Sequence, residues 1–117
     1  MNYTHGSLEN EILNAVWSME ESNNAKENMI SVSEVLELIN NNGNIRAYTT
    51  VKTVMDRLVE KNLLKRYKRG KKFNYRTVST RQEMAKSAIK KLAHQYFNND
   101  MRSFMKALEK ECLSSSK

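Results

Sequence analysis

The chain has 117 residues, 39% of them hydrophobic, a single cysteine and a formal net charge of +7. That length accommodates one domain, or one domain with a short appendage, around a modest core. The lone Cys112 excludes an intrachain disulfide and a cysteine-based metal cluster. With no run of about 18 apolar residues and no apolar leader core, a soluble cytoplasmic protein is expected.

The charge is concentrated. Residues 1–45 hold seven Glu against Lys26, whereas residues 46–81 hold twelve Lys or Arg against Asp56 and Glu60. The corresponding net charges are −6 and +10, with +3 on residues 82–117. A dispersed +7 would read as a solvated surface, but focused positive charge points to a polyanionic partner, nucleic acid before others.

A first helix is predicted from Ser7, read as its N-cap, with Leu8, Ile12, Leu13, Val16 and Trp17 on one face. Glu9 and Glu11 suit the positive end of its dipole. It fades near Glu21 into a polar loop over residues 22–28, and Met29-Ile30 reads as a very short strand. Ser31 and Glu34 have the capping-box spacing ahead of Val35, Leu38 and Ile39, and this second helix stops in the Asn40-Asn41-Asn42-Gly43-Asn44 cluster. A third helix is predicted from residue 47 or 48 to 62. Val51, Val54, Met55, Leu58 and Val59 form its buried stripe. Tyr48, Thr49, Lys52, Thr53, Asp56 and Glu60 face outward, with Thr50 and Arg57 at the margins. Two helices joined by a short polar turn, the later one presenting small polar and basic residues early, make a helix-turn-helix.

Residues 63–68 and 73–78 read as the arms of a hairpin, with Arg69-Gly70-Lys71-Lys72 as its tip. Thr80 and Glu83 repeat the capping-box spacing. The helix after them shows Met84, Ala85, Ala88, Ile89, Leu92, Ala93, Tyr96 and Phe97 along one side. Asn98-Asn99-Asp100 interrupts it, and a last helical segment carries Met101, Phe104, Met105, Leu108 and Cys112 before a frayed tail over residues 114–117.

Helix, helix, helix, hairpin is the order of a winged helix. The expected fold is therefore mainly α with a small β-hairpin: a winged helix-turn-helix DNA-binding domain over residues 1–79, then a helical dimerisation region over 80–117. Lys52 and Arg57 on the third helix, with Lys65, Arg66, Lys68, Arg69, Lys71, Lys72 and Arg76 on the wing, can approach phosphates. Releasing counterions from roughly 6–10 phosphates per dimer makes binding steeply salt-dependent. Tyr48, Thr49, Lys52 and Thr53 stand where base edges are read. For each of them a base contact and a phosphate or solvent contact stand as equal alternatives. Asp56, four residues after Lys52, predicts an ion pair worth a few tenths of a kcal/mol.

Ile89, Leu92, Tyr96, Phe97, Met101, Phe104, Met105 and Leu108 offer more apolar surface than a small winged helix needs. A homodimer on a two-fold operator is expected, the alternative being that these helices fold back on their own domain. Catalysis finds no support. His5 and His94 stand alone, and no nucleophile motif, Gly-rich phosphate loop or HExxH pair occurs. No enzyme activity, cofactor or metal is expected.

The run from Leu8 to Trp17 (LENEILNAVW) resembles the first helix of the penicillinase repressor family (the BlaI/MecI/CopY group), and Ile30-Ser31-Val32-Ser33-Glu34-Val35 resembles the start of its second. Residues 47–64 (AYTTVKTVMDRLVEKNLL) are similar to the family's recognition helix and its exit, and Tyr75 and Val78-Ser79 match its wing. The resemblance implies a bacterial dimeric repressor of a palindromic operator with intertwined C-terminal helices. By position, Thr49, Thr50, Lys52, Thr53 and Arg57 would face DNA from the recognition helix, and Lys71 and Lys72 from the wing. The antibiotic-resistance branch is released by a sensor-linked protease that cuts the dimerisation helices; the copper branch is released by metal at a C-terminal cysteine motif. Two features depart from the family. Cys112 is alone where the copper branch has CxC-type pairs, and Ala107-Leu108 aligns with the cleaved Asn-Phe bond. Asn62 also stands where Gly is frequent. A beta-lactam-type repressor is the leading expectation. A metal-responsive repressor of the same family, an architectural DNA binder and a module for an acidic protein partner remain the alternatives.

Overall fold

A computed structural model describes residues 7–22 and 30–115. Its elements run α1 (Ser7–Glu21), α2 (Val32–Asn41), α3 (Tyr48–Glu60), β1 (Leu64–Arg69), β2 (Lys72–Thr77), α4 (Arg81–Phe97) and α5 (Met101–Ser115). This is the mainly helical architecture with one antiparallel hairpin that the winged helix requires. Met1–Thr80 and Arg81–Lys117 form two compact units. His5, Met29, the Asn23-to-Asn28 part of the predicted loop and the end of the tail lie outside the described residues.

In the first unit, Ile12 and Val16 of α1, Val35 of α2, and Val51, Met55 and Leu58 of α3 are fully buried, joined by Leu64 and Tyr75 of the hairpin. Ser7, read as the N-cap, is itself helical. Glu9 departs further from expectation: it is buried, and its two carboxylate oxygens accept from Lys61 Nζ at 3.1 and 3.0 Å. A carboxylate in that position needs a cation more than a helix dipole, because desolvation otherwise disfavours its charge.

The capping box of α2 forms as read, with Glu34 N donating to Ser31 Oγ at 3.2 Å and Ser31 N donating to Glu34 Oε1 at 2.9 Å. The α2–α3 turn is fastened to α1 through Glu11, which accepts from Asn44 Nδ2 at 2.7 Å and from an Arg46 terminal nitrogen at 3.3 Å. Arg46 N also donates to Asn40 Oδ1. The first cation of the basic stretch is thus engaged inside the fold. At the other end of α3, Leu63 N donates to Leu58 O and Asn62 N to Val59 O, with Asn62 at φ 64°. This is a Schellman termination, and Asn supplies the left-handed residue that Gly most often provides.

The hairpin pairs Leu64 with Thr77 through to Arg69 with Lys72, so its tip is two residues, Gly70-Lys71, rather than four. Gly70 has φ +65° with open space around it, so backbone conformation and not crowding calls for glycine. Tyr75 N donates to Ile30 O at 2.8 Å, making Ile30 a one-residue third strand. Three bonds with residues of α1 hold the base of the wing. Glu20 accepts from Thr77 N and Oγ1 at 2.8 and 2.6 Å, and Trp17 Nε1 donates to Ser79 O at 2.9 Å.

In the second unit, Asn98 and Asn99 turn the chain at φ 50° and 65°. Asp100 caps α5: Oδ1 accepts from Arg102 N and Ser103 N, and Oδ2 accepts from Ser103 Oγ at 2.9 Å. Those Ser103 bonds hold its carboxyl below the usual range. Phe97 and Phe104 stack with centroids 5.1 Å apart. Only part of the stripe read on these helices is covered: Ala93 and Phe104 are buried, while Ile89, Leu92, Tyr96, Met101, Met105 and Leu108 are exposed.

Candidate nucleic-acid interface

The 3.6-residue period of α3 sends Val51, Val54, Met55 and Leu58 into the core and leaves Tyr48, Thr49, Thr50, Thr53 and Arg57 exposed, with Lys52 and Asp56 half-buried. The N-cap, Ala47, makes no side-chain capping bond. Two separate depressions flank the helix. Thr49, Thr50, Thr53 and Arg57 line one. Tyr48 and Lys52 line the other, a cleft of about 290 Å³ completed by Lys71, Lys72 and Phe73 of the wing and by Ser31 and Ser33 at the start of α2. The first is lined by three threonines and one arginine; the second is lined by three lysines.

Wing cations are divided by the strand pleat. Arg66 and Lys68 share a face with Phe73 and Tyr75, while Lys65, Arg69, Lys72 and Arg76 occupy the opposite face. The Arg66 guanidinium lies 4.7 Å from the Phe73 ring centroid and Lys68 Nζ lies 5.7 Å from it, within cation–π range. Lys71 sits at the tip, exposed.

One carboxylate joins helix and wing. Asp56 Oδ2 accepts from Lys52 Nζ at 2.8 Å, and Oδ1 accepts from Arg66 NH1 and from the Tyr75 hydroxyl, each at 3.0 Å. Burial pushes the Asp56 carboxyl up, but the bonds from Lys52 and Tyr75, the Lys52 charge and the Arg66 bond outweigh it and hold the group below its usual value. Burial, followed by the bond to Asp56, pushes the Tyr75 phenol up to about 12. The Lys52–Asp56 pair was legible from the sequence; Arg66 and Tyr75 as its partners were not.

The arrangement is a helix with a sparsely charged outer face beside a strongly basic wing. The family model described as penicillinase repressor matches residues 5–117, almost the whole chain. The chain belongs to the penicillinase repressor family. Its members are DNA-binding transcriptional repressors rather than enzymes. A search of curated proteins returns no match.

In this penicillinase repressor family member, Thr49, Thr50, Thr53 and Arg57 come together in one depression, and Tyr48, Lys52, Lys71 and Lys72 in the other. Lys68 and Arg69 stand exposed on opposite wing faces, and Arg66 is held against Phe73 and Asp56. Ser33 and Phe73, which sequence reasoning did not assign to a site, line the cleft; no periodicity marks Ser33, and Phe73 read only as a strand former. His94 lies 3.4 Å from Asn99 Nδ2, and no group of three or more His, Cys, Asp or Glu able to hold a metal occurs among the described residues. No described helix is long and apolar enough to cross a membrane. Cys112 is exposed, and Ala107-Leu108 lies within α5.

Proposed function

We propose that this repressor is a cytoplasmic homodimer that recognises a palindromic operator by placing α3 of each protomer in successive major grooves. The observation that carries this reading is the division of labour beside α3. Thr49, Thr50 and Thr53 carry hydroxyls and methyls but no charge, which suits base edges and thymine methyls. Arg57 stands in their depression, and Lys52, Lys71 and Lys72 line the other flank, which suits the phosphates on either side. Lys68 and Arg69 extend that charge along the wing.

The second unit supports the dimer. Two helices that bury only Ala93 and Phe104 among the described residues leave Tyr96 at 72%, Met105 at 58% and Leu108 at 50% exposed. Apolar surface of that extent in so small a unit is stabilised when a second copy covers it. Phe97 and Phe104 contribute by stiffening the α4–α5 pair through their mutual stack, and Ile89, Leu92, Tyr96, Met101, Met105 and Leu108 supply the contact surface. In the antibiotic-resistance reading, a sensor-linked protease releases the operator by cutting this region.

Footprinting on the DNA upstream of its own gene tests the reading. Two protected half-sites, separated by about one helical turn or a multiple of it, are expected. A single half-site, or continuous coating without boundaries, would contradict it.

A further inference from the structure

Asp56 is placed where a helix-stabilising residue would gain little. A cation followed four residues later by an acid is the weaker orientation of such a pair, worth at most a few tenths of a kcal/mol to α3. The same carboxylate also takes a bond from Arg66 of β1 and another from Tyr75 of β2, and these two residues are cross-strand partners. One acidic group therefore ties the outer side of the recognition helix to both arms of the wing. Tyr75 is fully buried as a residue, so its hydroxyl is a fixed post, and Arg66 is held between the Phe73 ring and the carboxylate. Two cations face one anion, leaving the cluster a net charge of +1 at the edge of the cleft that Lys52 lines with Lys71 and Lys72.

Resting on the operator-binding reading above, we propose that Asp56 is a positioning and specificity residue: it sets the angle of wing to recognition helix and withholds part of the Lys52 and Arg66 charge from DNA phosphates. A phosphate on random DNA must compete with Asp56 for these two side chains. A cognate operator meets the same competition but gains from the wing angle that Asp56 holds fixed, since its phosphates lie in register with that wing. Asp56 thus suppresses the sequence-independent part of binding more than the sequence-dependent part, because free cations attract any duplex equally.

The test compares the full-length wild type with Asp56→Asn and Tyr75→Phe on two probes, a duplex selected from a random pool by the wild type and a scrambled duplex of the same composition. Each titration is repeated across a salt series. Removing one negative charge per protomer adds about one phosphate contact each, so the log–log salt slope of Asp56→Asn on scrambled DNA steepens by about 2 per dimer. Its affinity for scrambled DNA rises by at least ~10-fold at ~0.1 M salt, and the ratio of selected to scrambled affinity falls. Tyr75→Phe, which deletes the post and keeps every charge, lowers the ratio at an unchanged slope. An unchanged slope and ratio in Asp56→Asn, a parallel loss on both duplexes that tracks a lower melting temperature, or an unchanged ratio in Tyr75→Phe overturns the proposal. A wild type that prefers its selected duplex while Asp56→Asn behaves identically sinks this inference alone; a wild type that enriches no duplex from the pool sinks the repressor reading with it.

Discussion

Replacing Lys71 and Lys72 together by Ala probes the wing without touching the core. Both side chains are exposed, both line the cleft that Lys52 also lines, and neither forms an ion pair among the described residues. The double substitution removes two cations per protomer and four in the proposed dimer. At about 0.9 in log–log slope for each phosphate contact, the salt dependence should flatten by up to ~3.6, with affinity at ~0.1 M salt falling on the order of 10³-fold. Fluorescence anisotropy on an operator duplex and a scrambled duplex, each over a salt series, reads both quantities. The loss should be the same on both probes, since phosphate contacts carry no sequence information. An unchanged slope, or a loss confined to the operator, would refute the assignment of these lysines to phosphates.

Thr53→Ala should shift the order of preference among operator variants by roughly 1–3 kcal/mol at one base pair while leaving the salt slope unchanged; a uniform loss across variants would remove Thr53 from the base contacts. Lys61→Met withdraws the cation that faces buried Glu9, and chemical denaturation should show a loss of roughly 1–2 kcal/mol, moderated because the ammonium is partly in water. Tyr75 makes alkaline stability testable. Its folded pKa of about 12 lies above the ordinary 10.0, so its contribution is full below pH 10.0 and is lost as pH rises toward 12. An ultraviolet titration should find one phenol ionising late, and Tyr75→Phe should abolish that late step; ionisation of every phenol near pH 10.0 would contradict the buried hydrogen bond to Asp56.

Local chemistry was legible in the sequence wherever both partners lie within a few residues. The Ser31–Glu34 box, the α3 stripe except the half-buried Val59, and the Lys52–Asp56 pair follow from spacing, whereas Asn62 at the helix end followed from the resemblance. Contacts that depend on strand register or helix packing were not. Arg66 and Tyr75 meet Asp56 only because β1 and β2 pair as they do, and 10 and 19 residues separate them from it in sequence. Arg46 was only counted within the basic stretch, and nothing in spacing points to Glu11 as its partner; Glu9 read as a dipole partner until packing buried it against Lys61. The apolar side of α4 was legible as a pattern, but a periodic stripe does not say whether its own chain covers it. Here Ala93 is buried while Leu92 and Tyr96 are not.

If α3 chooses a sequence while the wing supplies indiscriminate affinity, the two duplexes to compare are the DNA upstream of its own gene and a scrambled one, their affinities measured with the whole chain at physiological salt. A ratio of about 10³ or more is expected of a sequence-specific repressor. A ratio near one would contradict the account and leave the basic wing as the whole of its DNA binding.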